Sequence, residues 1–97
     1  PLNVPKLKEQ WAIAKVNAER AWKLAGNKGS KKIIVAVIDT GVDSSHESLK
    51  TNMVEGFDFA DNDADASDIT GPRNPGHGTH CAGIVAANGL VEGGVIG

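Results

Sequence analysis

The chain has no tyrosine, two tryptophans, two phenylalanines and one cysteine in 97 residues. So few aromatics leave the filling of any core to aliphatic and small side chains. The single cysteine excludes an internal disulfide. No apolar run approaches the roughly 20 residues that a membrane-crossing helix needs. No signal-peptide pattern opens the chain, and no membrane partner is expected. Charge of either sign is also locally scarce. Residues 1–32 hold eight Lys or Arg against two Glu, a balance of +6, whereas residues 33–97 hold two basic and ten acidic residues, a balance of −8. The lysines of the first part are scattered among Ala, Trp and Leu without a compact cluster. That pattern fits a solvated surface better than a nucleic-acid footprint. Internal repeats and domain linkers are lacking as well.

Two segments stand out against this background. Lys32–Ile38 is nearly continuous in hydrophobicity and rich in β-branched residues (Ile33, Ile34, Val35, Val37, Ile38), which predicts a strand buried on both faces. The run ends at Asp39, and Gly41 then lets the chain turn. Asp39 taken alone reads equally as a turn residue or a helix cap. The second segment is His77-Gly78-Thr79-His80-Cys81-Ala82-Gly83. Its small residues, continued by Ala86 and Ala87, predict a helix able to pack closely, with His77 in the first turn. The positive end of the helix dipole disfavours a protonated imidazole there. A nearby carboxylate counters that effect, fixes the tautomer and lets the imidazole move protons, the pairing used in acyl-transfer triads.

Asp39-Thr40-Gly41-Val42 and the His77–Gly83 segment together resemble the aspartate and histidine signatures of the subtilisin-like serine proteases. Gln10-Trp11 and Ala18-Glu19-Arg20-Ala21-Trp22 are similar to the usual opening of the mature enzymes. Cys81 and the stretch Gly56–Asp63 resemble the thermitase-like and proteinase K-like members more than those with valine at the cysteine position.

The resemblance implies a serine endopeptidase acting on proteins or peptides. Asp39 would be the orienting carboxylate, His77 the general base and later acid, and His80 a structural neighbour. The nucleophilic serine and the asparagine of the oxyanion hole would lie outside residues 1–97. This chain alone is therefore expected to be inactive. The implied fold is α/β, a partial three-layer parallel-sheet subtilisin-like fold, incomplete without the C-terminal remainder. Residues 1–97 would be the N-terminal portion of a single peptidase domain. The serine would come from a second polypeptide, as in a nicked enzyme, or from a missing C-terminal segment. A propeptide would have been removed, and the location would be extracellular. The thiol of Cys81 beside His77 implies sensitivity to mercurials; Cys81 also reads as a small buried hydrophobe, and both readings can hold together. Two alternatives stay open: a pseudoprotease or peptide-binding fragment, and a metal-dependent hydrolase using Asp39, His77 and His80.

Asp58, Asp61, Asp63, Asp65 and Asp68 crowd one loop. Carboxylates at alternating loop positions can converge on a hard cation such as Ca²⁺, although the spacing is not that of an EF-hand. The thermitase-like match makes Asp58, Asp61 and Asp63 the candidate calcium ligands. Asp65 and Asp68 either widen that site or lie in solvent. A solvated acidic loop is the plainer reading. The family's tight calcium site is not expected, because Ser48 stands where many members place an aspartate. Elsewhere, Pro1–Pro5 predicts an extended lead-in. Asn17 predicts a capped helix running to about Leu24, with Gly26 past its end. His46-Glu47 reads as a surface turn, and Asn88–Gly94 as a flexible turn open to proteolysis.

Overall fold

The structure is a computed structural model and describes residues 9–89. The expected Pro1–Pro5 lead-in, the segment Leu90–Gly94 of the predicted turn and the terminal Val95–Gly97 lie outside the described residues.

Among the described residues three helices form, each delimited by its local chemistry. Helix α1 spans Trp11–Lys15, and α2 spans Ala18–Ala25. Asn17 separates them in the left-handed region at φ 58°, which asparagine tolerates better than most residues. It occupies the predicted capping position, but its side chain makes no capping hydrogen bond. The helix starts instead on the backbone bond from Ala21 N–H to the Asn17 carbonyl, 3.0 Å. Gly26 ends α2 as the sequence predicts. It lies at φ 73° and donates its N–H to the Trp22 carbonyl, the left-handed stop that glycine accepts without a Cβ penalty. Helix α3 spans His77–Ala86. Among the described residues no helix is long and apolar enough to cross a membrane.

The predicted strand at Lys32–Ile38 forms no ladder among the described residues. The parallel sheet expected of this α/β class is accordingly not assembled by them. The reason is physical: a strand interior to a parallel sheet needs neighbours to take its N–H and C=O groups, and among the described residues no backbone hydrogen bond reaches residues 34–38. Its side chains face solvent, Ile38 with 97% and Ile34 with 73% of its surface exposed. The antiparallel bridge that does join described residues is Asp58 with Asp63, each N–H donating to the other's carbonyl at 2.9 and 3.0 Å.

The buried centre is small and gathers around α3. Among the described residues Leu49, Ala82 and Ala87 are the buried apolar ones, accompanied by Ser48, Gly78 and Gly83. The turns of residues 43–52 are tied to the end of α3 by polar bonds. Asn88 N–H donates to the Ser48 carbonyl at 2.8 Å, and Asn52 Nδ2 to the Ala86 carbonyl at 2.8 Å. The second bond occupies one of the carbonyls that a helix C-terminus leaves without a partner. The full burial of Leu49 contributes roughly 1.5–3 kcal/mol.

Candidate active site

Helix α3 begins on a glycine. Gly76 sits at its N-cap position in the left-handed region, φ 75°, and has no side chain with which to cap. The first turn of a helix leaves its N–H groups without intrahelical acceptors, so acceptors must come from elsewhere in the chain. His77 N–H bonds to the Asn74 carbonyl at 3.1 Å. Gly78 N–H bonds to Thr40 Oγ1 at 2.9 Å, and Thr79 N–H to Asp68 Oδ2 at 2.9 Å. These bonds fix the helix start against the segment that carries Asp39.

The contact between the two segments is also made of backbone. A Cβ built on Gly78 would overlap the Gly41 carbonyl oxygen and lie 3.1 Å from the Gly41 nitrogen and carbonyl carbon. Gly41 itself is at φ 114°, and a Cβ there would overlap the Ser67 carbonyl oxygen. Val42 N–H bonds to the Ala66 carbonyl at 2.9 Å. Three stretches (39–43, 66–69 and the start of α3) thus meet at van der Waals distance because two of their residues lack side chains.

That meeting places His77 Nδ1 2.7 Å from Asp39 Oδ1. An ionised carboxylate can only accept, so Nδ1 carries a proton, and the neutral ring in that tautomer has its lone pair on Nε2. The Asp39 side chain is 17% exposed and the His77 side chain 52%. The His77 hydrogen bond, followed by the Thr40 N–H at 2.7 Å, holds the Asp39 carboxyl below its ordinary value. Such an arrangement can hold an imidazole by its Nδ1 against an ionised carboxylate and leave Nε2 open to a proton donor.

Cys81 lies one turn along α3, Sγ 3.8 Å from His77 Nδ1. Burial pushes its thiol above the ordinary value, and the charge of Asp39 and a hydrogen bond to it add to the effect. A thiol kept protonated, on the Nδ1 side of the ring, is placed away from the nitrogen that could activate it. Asp39, His77 and Cys81 are also the group of three potential ligand atoms found within 4.8 Å of one another among the described residues. His80 is not in that group, so the histidine pair of the metal-hydrolase alternative is not brought together with Asp39. The carboxylates of Asp58, Asp61 and Asp63 are not gathered in this way either. Asp58 Oδ1 accepts the N–H groups of Ala60 and Asp61 at 2.8 and 3.0 Å, and Asp63 Oδ1 that of Asp65 at 2.9 Å. Those bonds wrap the loop around its own aspartates, as in Asx turns.

The sequence reading left Asp68 either widening a cation site or lying in solvent, and gave Thr40 and Thr79 no role beyond their motifs; the structure bonds the three together. Asp68 Oδ1 accepts the Thr40 hydroxyl at 2.7 Å and Ile69 N–H at 2.8 Å. Its Oδ2 accepts both the hydroxyl and the N–H of Thr79, while Thr79 Oγ1 accepts Asp43 N–H at 2.9 Å. The signal was present in the sequence: a predicted helix opened by glycine must borrow its cap.

Burial works against ionisation of Asp68, but the bonds from Thr79, Thr40 and the backbone outweigh it and leave the carboxyl at about 2, against an ordinary 3.8. A depressed carboxyl stabilises the fold at every pH above the unfolded value and loses that contribution as pH falls through the folded value. Asp68 is part-buried, so with screening allowed for, the contribution is on the order of 1–2 kcal/mol. Between pH 5 and pH 2 the thermal midpoint of wild-type protein is expected to fall more steeply than that of Asp68→Asn. Parallel curves would remove this role.

A family model described as the Subtilase family matches residues 30–97. Thermitase of Thermoactinomyces vulgaris is 45% identical over 78 residues, 80% of this chain and 25% of its own length. The minor extracellular protease Vpr of Bacillus subtilis is 50% identical over 84 residues, 80% of this chain and 10% of its own. The major intracellular serine protease of the same species is 45% identical over 85 residues, 88% of this chain and 25% of its own. The chain thus spans a quarter or less of these relatives. No solved structure matches it.

Proposed function

The chain belongs to the subtilase family, and from that premise we propose that it supplies the aspartate and histidine of a serine endopeptidase. The observation that carries this reading is the 2.7 Å bond between His77 Nδ1 and Asp39 Oδ1. In the whole protein a serine outside residues 1–97 attacks the peptide carbonyl, and His77 Nε2 takes the serine proton. His77 then returns that proton to the leaving amine, while Asp39 holds the tautomer and stabilises the imidazolium. The order of aspartate, histidine and serine along the chain is the family's and is not deduced from the geometry. Vpr and the other relatives named as proteases support the peptidase assignment.

The exposed apolar run Ile33–Ile38 supports a further part of the reading. In the intact enzyme it is a strand covered by the remainder of the domain, on the same chain or on a nicked second polypeptide. The test compares peptide hydrolysis by the whole protein and by residues 1–97 alone. Activity in the first and none in the second is expected; hydrolysis by the isolated chain would sink the proposal. Secretion is proposed with it. Relatives named extracellular support it and two named intracellular stand against it, and recovery from cells or from culture medium decides.

Calcium at Asp58, Asp61 and Asp63 is proposed as a structural ion. All three are hard oxygen donors of the kind Ca²⁺ takes, on a loop closed by the Asp58–Asp63 bridge. As arranged they do not make a ready cage, so binding requires the carboxylates to turn toward one another. Added Ca²⁺ is expected to raise the thermal midpoint of the whole protein, by an amount that Asp61→Asn with Asp63→Asn removes. A midpoint indifferent to Ca²⁺ would reject the site.

A further inference from the structure

Asp68 stands outside the triad, yet the parts that bear on His77 converge on it. Its two carboxylate oxygens hold two threonines, and each threonine neighbours a triad residue in sequence. Thr40 directly follows Asp39 and donates its hydroxyl to Oδ1 at 2.7 Å. Thr79 lies two residues after His77 and donates both its hydroxyl and its N–H to Oδ2. Each threonine oxygen then accepts an N–H from the opposite segment. Thr40 Oγ1 takes Gly78 of α3 at 2.9 Å, and Thr79 Oγ1 takes Asp43 of the aspartate segment at 2.9 Å. The connections cross, so sliding or rotating α3 against residues 39–43 breaks several bonds together. Hydrogen bonds to a charged acceptor are the stronger kind, and the carboxyl is held ionised down to about 2.

We propose that Asp68 is a positioning residue of the active site, acting as a borrowed helix cap that sets the distance between Asp39 and His77. The proposal rests on the triad reading of those two residues. It assigns Asp68 to the catalytic apparatus and separates it from the candidate ligands Asp58, Asp61 and Asp63. The two threonine hydroxyls act as its relays, which is a role that small size alone does not give them.

The test uses the whole protein with Asp68→Asn, Thr79→Val and Thr79→Ser. Displacement of a catalytic group by about 1 Å costs about 100-fold in rate. Asp68→Asn and Thr79→Val are therefore expected to lower kcat by about 10–100-fold with KM little changed. Thr79→Ser, which keeps the hydroxyl, retains the wild-type rate. Wild-type kcat in Asp68→Asn, or equal losses in the serine and valine variants, overturns the proposal. Should Asp68→Asn not fold, the valine–serine pair decides.

A second readout does not depend on turnover. In protein labelled with ¹⁵N at histidine, the His77 Nδ1–H resonance reports the bond to Asp39. It is expected to be protected from exchange in wild type and in Thr79→Ser, and to be lost or broadened in Thr79→Val. An unchanged resonance in Thr79→Val overturns the proposal. A wild-type protein that hydrolyses no peptide would refute the peptidase reading, and the resonance would still decide the role of Asp68.

Discussion

Replacing His77 by alanine in the whole protein is expected to lower kcat for a peptide substrate by about 10⁶-fold, and replacing Asp39 by asparagine by about 10⁴-fold. These sizes are those known for triad members as a class and are not calculated from this geometry. The proposed roles account for the difference. On that reading His77 Nε2 performs both proton transfers, so nothing substitutes for it. Asp39 acts through the ring, holding Nδ1 at 2.7 Å, and its loss leaves an imidazole that can still find the right tautomer part of the time. The double variant should be little worse than His77→Ala alone, because the two residues act as one unit. Steady-state kinetics at fixed pH check all three. Additive losses, or an Asp39→Asn enzyme within tenfold of wild type, would mean that the pair is not working as a base and its orienter.

The second large effect comes from one methyl group. Gly78→Ala places a Cβ onto the Gly41 carbonyl oxygen, with the Gly41 nitrogen and carbonyl carbon 3.1 Å away. Both obstacles are backbone, and Gly78 lies in the first turn of α3, so neither side yields by a rotamer change. The helix must separate from residues 39–43, which breaks the Gly78 N–H bond to Thr40 and pulls His77 from Asp39. Overpacking of this kind costs about 1–3 kcal/mol or more, and the displacement lowers activity by about 100-fold. Gly71→Ala is the control, since nothing lies within 4 Å of a Cβ there. Thermal midpoints and kcat of the two variants are the measurement. Similar values for both would show that the close approach of Gly78 to Gly41 is not a constraint on the site.

The contrast between these glycines shows where the sequence was legible. The pairing of His77 with Asp39 was expected from residue types and motif, and the structure places the two in contact. Helix α2 was legible because its signals are local: Gly26 stops it where predicted, and it begins after Asn17. The manner of that beginning was not legible. Asn17 adopts the left-handed region and bonds through its carbonyl, whereas the propensity argument assumed a side-chain cap.

The strand expected at Lys32–Ile38 is left unpaired among the described residues for a different reason. Apolar, β-branched composition expresses a demand for burial and for neighbours, and the described residues supply neither. Pattern alone encodes the need for a sheet, while pairing depends on chain that lies far off in sequence. Asp68 shows a third kind of loss. It sits in an acidic run whose members look alike, and the run suggested a cation. Only the fold distinguishes Asp58 and Asp63, whose bonds close their own loop, from Asp68, whose partners lie 28 and 11 residues away.

The central claim is that Asp39 and His77 of this chain activate a serine located elsewhere in the protein. Treating the whole protein with a fluorophosphonate probe, followed by denaturing mass spectrometry and peptide mapping, tests it most directly. The account predicts one probe adduct, on a serine outside residues 1–97, formed rapidly in wild type and lost or greatly slowed in His77→Ala. An adduct on a serine within residues 1–97, or labelling that is equally fast without His77, would contradict it.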